Sequence, residues 1–251
     1  MIGSLVPAAV VVADATGPLP GEALLPEEEA LVANAIGKRR AEFTTVRTCA
    51  RIALAELGVA PAPLLSGPKR QPLWPAGIVG SITHCDGYRA VAVARAADVA
   101  SIGIDAEPHL ALPDGILDRV TVPAERTHLR GLPPGVHWDR LLFSAKESVY
   151  KTWFPLAGRW LGFEEAELEF APGPDPARGT FTARLLVADR PSVAGAPLTT
   201  LPGRYAVGGG LLVTAITLPV DRPGRGQDRD STATARDHRV GPGHHDEAEE
   251  Q

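Results

Sequence analysis

The 251-residue sequence predicts a mixed α/β (α+β) fold. Three observations carry that expectation. Residues 38–57 and 143–154 repeat apolar side chains at helical spacing. Residues 78–95, 99–108 and 204–218 are rich in β-branched and small residues and are punctuated by turn formers. At 44% hydrophobic residues, a chain of this length buries a sizeable core.

A net charge of -5 offers no general attraction for nucleic acid, and no apolar run approaches the roughly 20 residues of a membrane span. The start, MIGSLVPAAVVVADATG, lacks the positive region of a signal peptide and reads as a first strand, so a cytoplasmic protein is expected. Cys49 and Cys85 are the only cysteines, too few for a disulfide framework and not spaced as a zinc motif; two buried free thiols are expected. Of 25 basic residues only four are lysines, Lys38, Lys69, Lys146 and Lys151. An ammonium is not interchangeable with a guanidinium where it must approach a phosphate as a point charge.

Taken in order, Pro26 followed by Glu27, Glu28 and Glu29 starts a helix that Gly37 interrupts. The next helix, 38–57, stops at Gly58. Phe43, Val46, Ala50, Leu54 and Leu57 form its buried stripe, with Arg40, Arg47 and Arg51 as a ridge beside it. Arg39 falls in line with Phe43 and Val46 near the buried face, where a cation needs an anion or an exit to solvent. SGPKRQPLWPAG, 66–77, is a loop carrying Lys69 and Arg70. GIVGSITHCDGYRAVAVAR reads as two strands joined at Cys85, Asp86 and Gly87, with His84 where the first ends. A lone histidine there is more often a structural hydrogen-bonder than a ligand contact.

VASIGIDAEP, 99–108, alternates so that Ile102 and Ile104 face one side and Gly103, Asp105 and Glu107 the other, and Pro108 ends the ladder. Two like charges so placed repel unless a cation neutralises them, and their hard oxygens suit Mg²⁺. Gly103 points to a ligand or a second backbone approaching closely. A short helix over 115–120, an acidic turn at 123–126 and a loop follow. In FSAKESVYKTWF, 143–154, Glu147 and Lys151 share a helix face opposite Trp138, Leu141, Leu142, Ala145, Val149 and Trp153. The plain alternative is a solvated i,i+4 pair, which stabilises a helix by about 0.3 kcal/mol and does no chemistry. RWLGFEEAELEF gives a basic-aromatic turn and a strand; FTARLLVAD and RYAVGGGLLVTAITL close an antiparallel sheet, with Gly208, Gly209 and Gly210 as a hairpin turn. Residues 221–251 hold no Leu, Ile, Phe, Tyr or Trp and are expected to be disordered, with His244 and His245 binding no metal.

Three carboxylates (Asp105, Glu107, Glu147), one helix lysine (Lys151) and scattered cations suit chemistry on a pyrophosphate or phosphoester. The residues alone serve a transferase and a nucleotide hydrolase equally. In their order, GSITHC (80–85), SIGIDAEP (101–108) and FSAKESVYK (143–151) resemble the three signature blocks of the Sfp-type 4'-phosphopantetheinyl transferases. GKRRAEFTTVRTCAR (37–51) and the KRQPLWP loop resemble their EntD/PptT-like branch, and the resemblance spans about residues 1–218.

That resemblance implies a pseudo-twofold fold of two similar α/β halves in one monomer, with coenzyme A between them. The halves would be 1–98, with the phosphate-binding helix and loop, and 99–220, with the metal-binding carboxylates. It implies a Mg²⁺-dependent transfer of phosphopantetheine from coenzyme A to a serine of an apo acyl or peptidyl carrier protein, releasing 3',5'-ADP, in siderophore or other secondary-metabolite biosynthesis. By the same resemblance Asp105, Glu107 and Glu147 hold Mg²⁺, Glu147 or a water it positions deprotonates the serine, and Lys151 assists the departing phosphate. His84 contacts the 3'-phosphate with Thr83 beside it, and Arg39, Arg47, Lys69 and Arg70 bind the other phosphates and the adenine edge. The competing expectations are a Mg²⁺-dependent coenzyme A or nucleotide pyrophosphohydrolase, and a non-catalytic coenzyme A-binding protein, which an intact acid trio argues against.

Overall fold

The structure, a computed structural model, describes residues 1–220. The disorder expected for 221–251, with His244 and His245, lies outside the described residues.

The opening segment is a 3-10 turn at Ile2–Ser4 and then strand β1 (Val11–Ala15), shorter than expected because Pro7 holds a turn onto Val10 N. Helix α1 (Pro26–Glu29) and a second 3-10 turn (Ala30–Val32) precede the 20-residue α2 (Gly37–Glu56). Gly58, at φ 71°, takes the left-handed turn that ends it. Strands β2 (Ile78–Cys85) and β3 (Tyr88–Arg95) form the expected hairpin about Gly87, and β4 (Val99–Pro108) has the predicted bounds. Helices α3 (Ile116–Val120) and α4 (Pro123–Arg130) come next. Residues 123–126, expected as a turn, in fact open α4. Pro123 fits the first turn, and Glu125 accepts from Val122 N at 2.8 Å. Helix α5 (Trp138–Ala157) and a 3-10 turn (Phe163–Glu165) lead to β5 (Ala166–Pro172), β6 (Arg178–Leu185) and the small β7 (Ser192–Val193) and β8 (Ala196–Pro197) pair. Strands β9 (Thr200–Gly208) and β10 (Leu211–Pro219) close the fold through a Gly209-Gly210 corner, whose φ values of 59° and 77° only glycine adopts freely.

Besides the β7-β8 pair, two larger antiparallel sheets result among the described residues, ordered β1-β3-β2 and β4-β10-β9-β6-β5. Strand β3 alternates between two cores: Val91 and Val93 pack with Val46, Ala50 and Leu54 of α2, while Ala90, Ala92 and Ala94 share a core with Ile102, Ile104 and Val213 of the second sheet. The stripe of α5 is buried as its periodicity required, packing on Leu168, Phe181, Leu201 and Tyr205. The layers therefore run α2, small sheet, large sheet, α5.

The two larger sheets are joined by side chains. Strand β4 is an edge, and hydroxyls of β2 replace the partner strand it lacks: Ser81 Oγ accepts from Ile104 N at 3.1 Å and Thr83 Oγ1 from Ala106 N at 3.0 Å. A Pro-x-Glu helix start whose glutamate is buried occurs twice, at Pro26 and at Pro123. Glu28 accepts from Leu25 N, Leu64 N and Arg51 of α2; Glu125 accepts from Val122 N, Leu168 N and Lys146 of α5.

Candidate active site

The site is set by how closely α5 lies on β4. A Cβ at Gly103 would meet Ser148 O at 2.0 Å and Thr152 Oγ1 at 2.2 Å, so the close approach this glycine predicted is the backbone of α5. Small buried hydroxyl residues face that seam: Ser101 Oγ donates to Thr152 O at 2.8 Å, and Ser144 and Ser148 bond Thr214, the register partner of Asp105. Lys151 is thereby carried onto the strand.

Of the two charges that share the α5 face, Lys151 pairs with Asp105 and not with Glu147. Its Nζ donates to Asp105 Oδ1 at 2.7 Å and to Ile104 O at 3.1 Å. Thr83 also donates to Asp105 Oδ1, at 3.1 Å, so this predicted cofactor contact is a buried support for the carboxylate. Asp105 Oδ2 is buried with no partner. Glu107 repeats the pattern: Arg140 Nη1 holds Oε2 at 2.9 Å, and Oε1 has no bond among the described residues. Glu147, half-buried, has no hydrogen bond or ion pair among the described residues. Burial holds its carboxyl above the usual range; Lys151 opposes the shift, while Asp105 and Glu107 add to it. Burial, then Asp105, does the same to Glu107.

As they stand, no three His, Cys, Asp or Glu side chains among the described residues are gathered into a cation-binding arrangement. The donors nevertheless fit a hard divalent cation. An orphaned carboxylate oxygen in a buried setting is costly unless something positive meets it. Asp105, Glu107 and Glu147 could supply that ion with oxygen ligands.

The predicted cations divide. Arg39 leaves the surface-exposed first turn of α2 instead of approaching the buried face, and its Nη1 lies 2.7 Å from His84 Nε2. A guanidinium only donates, so His84 accepts through Nε2 and carries its proton on Nδ1. Partial desolvation, then Arg39, holds His84 below its ordinary pKa. Glu42 lies between Arg39 (3.8 Å) and Arg89 (3.7 Å). Arg47, by contrast, is buried over the Phe43 ring with its Nε 4.0 Å from Glu28; burial pulls its pKa down to about 10. Its guanidinium is not brought to His84, and the ridge expected with Arg51 turns inward on Glu28. Lys69 and Arg70 are exposed on a loop closed between Ser66 and Pro72, with no charged partner among the described residues. Cys49 is buried as expected, but Cys85 is only half-buried.

Sequence reading missed two features. Arg140 stands seven residues ahead of Glu147, two helical turns along one face, a spacing that could have found it. Beside Glu147, a cleft lined by Tyr150, Trp160, Leu161 and Phe163 gathers aromatic rings, Tyr150 and Trp160 lying 4.7 Å apart.

Two family models match the chain: 4'-phosphopantetheinyl transferase N-terminal domain over residues 27–94, and 4'-phosphopantetheinyl transferase superfamily over 101–196. Similar proteins include 4'-phosphopantetheinyl transferase PptT of Mycobacterium tuberculosis, 51% identical over 223 residues, 87% of this chain and 98% of that protein. The 4'-phosphopantetheinyl transferase Svp of Streptomyces mobaraensis is 55% identical over 224 residues, 87% of this chain and 89% of Svp. Enterobactin synthase component D of Salmonella typhimurium is 41% identical over 120 residues, 45% of this chain and 48% of that protein.

Proposed function

The chain belongs to the 4'-phosphopantetheinyl transferase superfamily, and on that premise we propose that it moves phosphopantetheine from coenzyme A to a serine of an apo acyl or peptidyl carrier protein. The observation that carries this reading is the held-and-free pattern of Asp105 and Glu107: each has one oxygen anchored and one left over, beside an unpaired Glu147.

In the reaction the serine Oγ bonds to the phosphorus that bears the pantetheine arm. The bond from that phosphorus to the bridging pyrophosphate oxygen breaks, and its electron pair leaves on 3',5'-ADP. The serine proton passes to Glu147 or to a water held by it. Lys151, reached across from α5, donates to the departing phosphate. Mg²⁺ bound at the free carboxylate oxygens would neutralise the pyrophosphate and the charge that develops on the leaving group.

Arg39 and the Nδ1–H of His84 take the 3'-phosphate, and Lys69 and Arg70 reach the other phosphates. Arg47 is left out of this set because it is buried over the Phe43 ring, facing Glu28. We assign the work to a cytoplasmic monomer serving siderophore or other secondary-metabolite carriers; among the described residues no helix is long and apolar enough to cross a membrane.

The test is incubation with coenzyme A, Mg²⁺ and an apo carrier, with and without chelator, followed by intact mass of the carrier. Gain of one phosphopantetheine with one equivalent of 3',5'-ADP, lost on chelation, is expected. Nucleotide release without a carrier would instead support the pyrophosphohydrolase, and an unmodified carrier with no release would sink both.

A further inference from the structure

We infer that Arg140 is a positioning residue, which fixes Glu107 so that its free oxygen is presented to the cation. The inference rests on the reading that Asp105, Glu107 and Glu147 hold that ion. Arg140 is mostly buried and all three of its guanidinium nitrogens are engaged. Nη1 donates to Glu107 Oε2 at 2.9 Å, Nη2 to Ala111 O at 2.9 Å and Nε to Leu110 O at 3.2 Å. A planar fork held at three points cannot swing, so it sets the direction of the carboxylate it touches.

The placement matches what happens to the neighbouring acid. Arg140, Glu147 and Lys151 lie on one face of α5, spaced seven and four residues apart. Lys151 anchors Asp105, Arg140 anchors Glu107, and Glu147 stands between the two anchors. One helix thus supplies one candidate ligand and orients the other two. Left alone, two carboxylates on the same face of β4 would repel and turn apart.

Two other roles give different results. Arg140 could serve only as a tether for the chain at Leu110 and Ala111, or its positive charge could merely compete with the cation. Free Mn²⁺ can be counted by electron paramagnetic resonance with coenzyme A present and no carrier, for the wild type, Asp105→Ala, Arg140→Gln, Arg140→Lys, Glu107→Ala and the Glu107→Ala/Arg140→Gln double variant, with thermal midpoints followed alongside. Supporting residues around metal ligands typically contribute 10–100-fold in affinity. Arg140→Gln is therefore expected to weaken Mn²⁺ binding about tenfold, with Arg140→Lys in between because one ammonium cannot serve all three acceptors. In the Glu107→Ala background, loss of Arg140 should weaken binding no further.

If the wild type binds Mn²⁺ no better than Asp105→Ala, the cation-site reading fails and this inference falls with it. If those two differ as expected but Arg140→Gln binds as the wild type does, only the role of Arg140 is overturned. Tighter binding by Arg140→Gln would make it a competitor, and an undiminished effect in the double variant would make it a tether; either result also overturns the inference.

Discussion

Glu28 and Glu125 are both buried at Pro-x-Glu helix starts, and Asp105, 5% exposed, is nearly as deep; yet the three are treated differently. Each glutamate is saturated, taking two backbone N–H groups and a basic side chain from a long helix, α2 for Glu28 and α5 for Glu125. Asp105 has both donors on one oxygen and nothing on the other. Burial alone does not mark a functional charge. A saturated buried acid does structural work, whereas a buried acid with an oxygen to spare is waiting for a ligand.

Substitution should separate the two kinds. Asp105→Ala is expected to lower the transfer rate about a thousandfold, the size of losing one group aimed at transition-state charge. Its unfolding free energy should change by no more than about 1 kcal/mol, since an unsatisfied buried atom is removed with it. Parallel rate assays and urea unfolding check both halves of that statement. Glu125→Ala should do the reverse to stability. It leaves the Lys146 ammonium, already depressed in pKa by burial, with the Phe163 and Ala166 carbonyls but no counter-charge, and should cost about 3–5 kcal/mol in urea unfolding. Unfolding of Glu125→Ala indistinguishable from the wild type would break the comparison.

Smaller effects belong to the cation side. If His84 and Arg39 take the 3'-phosphate, His84→Ala should raise the KM for coenzyme A about tenfold, the worth of one hydrogen bond to a charged group, with kcat little changed. The same variant should no longer distinguish coenzyme A from its 3'-dephospho form; steady-state kinetics with the two substrates would show it.

The smallest effect is on stability against pH. His84 is held below the 6.5 at which it titrates in the unfolded chain. Its stabilising contribution is therefore complete above pH 6.5 and is lost as pH falls from there through the folded-state value. His84→Gln should flatten part of that acid slope in urea midpoints, and His109, held low by burial and His137, should keep the remainder.

Much of this was legible in the sequence because it is local. The stripe of α5, the bounds of β4, the two faces of Asp105 and Ile104 and the closing glycine hairpin all follow from spacing, and spacing is what periodicity reads. What stayed hidden depends on residues far apart in the chain. The reason α4 is a helix includes Leu168, 43 residues beyond Glu125. That Lys151 seeks Asp105 and not Glu147 depends on the packing of α5 over Gly103. Arg39 was misplaced because ideal helical spacing says nothing of whether the first turn of a helix has a neighbour. The inward turn of Arg47 needed Glu28, which local reading assigned only to a helix start.

The most direct test of the account is where a divalent ion sits when coenzyme A is bound. Crystals grown with coenzyme A and Mn²⁺ would give an anomalous difference map at the site. A peak ligated by Asp105 Oδ2 and Glu107 Oε1, with Glu147 or its water completing the contact, is the predicted result. Bound coenzyme A with a peak elsewhere, or with those two oxygens still unpartnered, would contradict it.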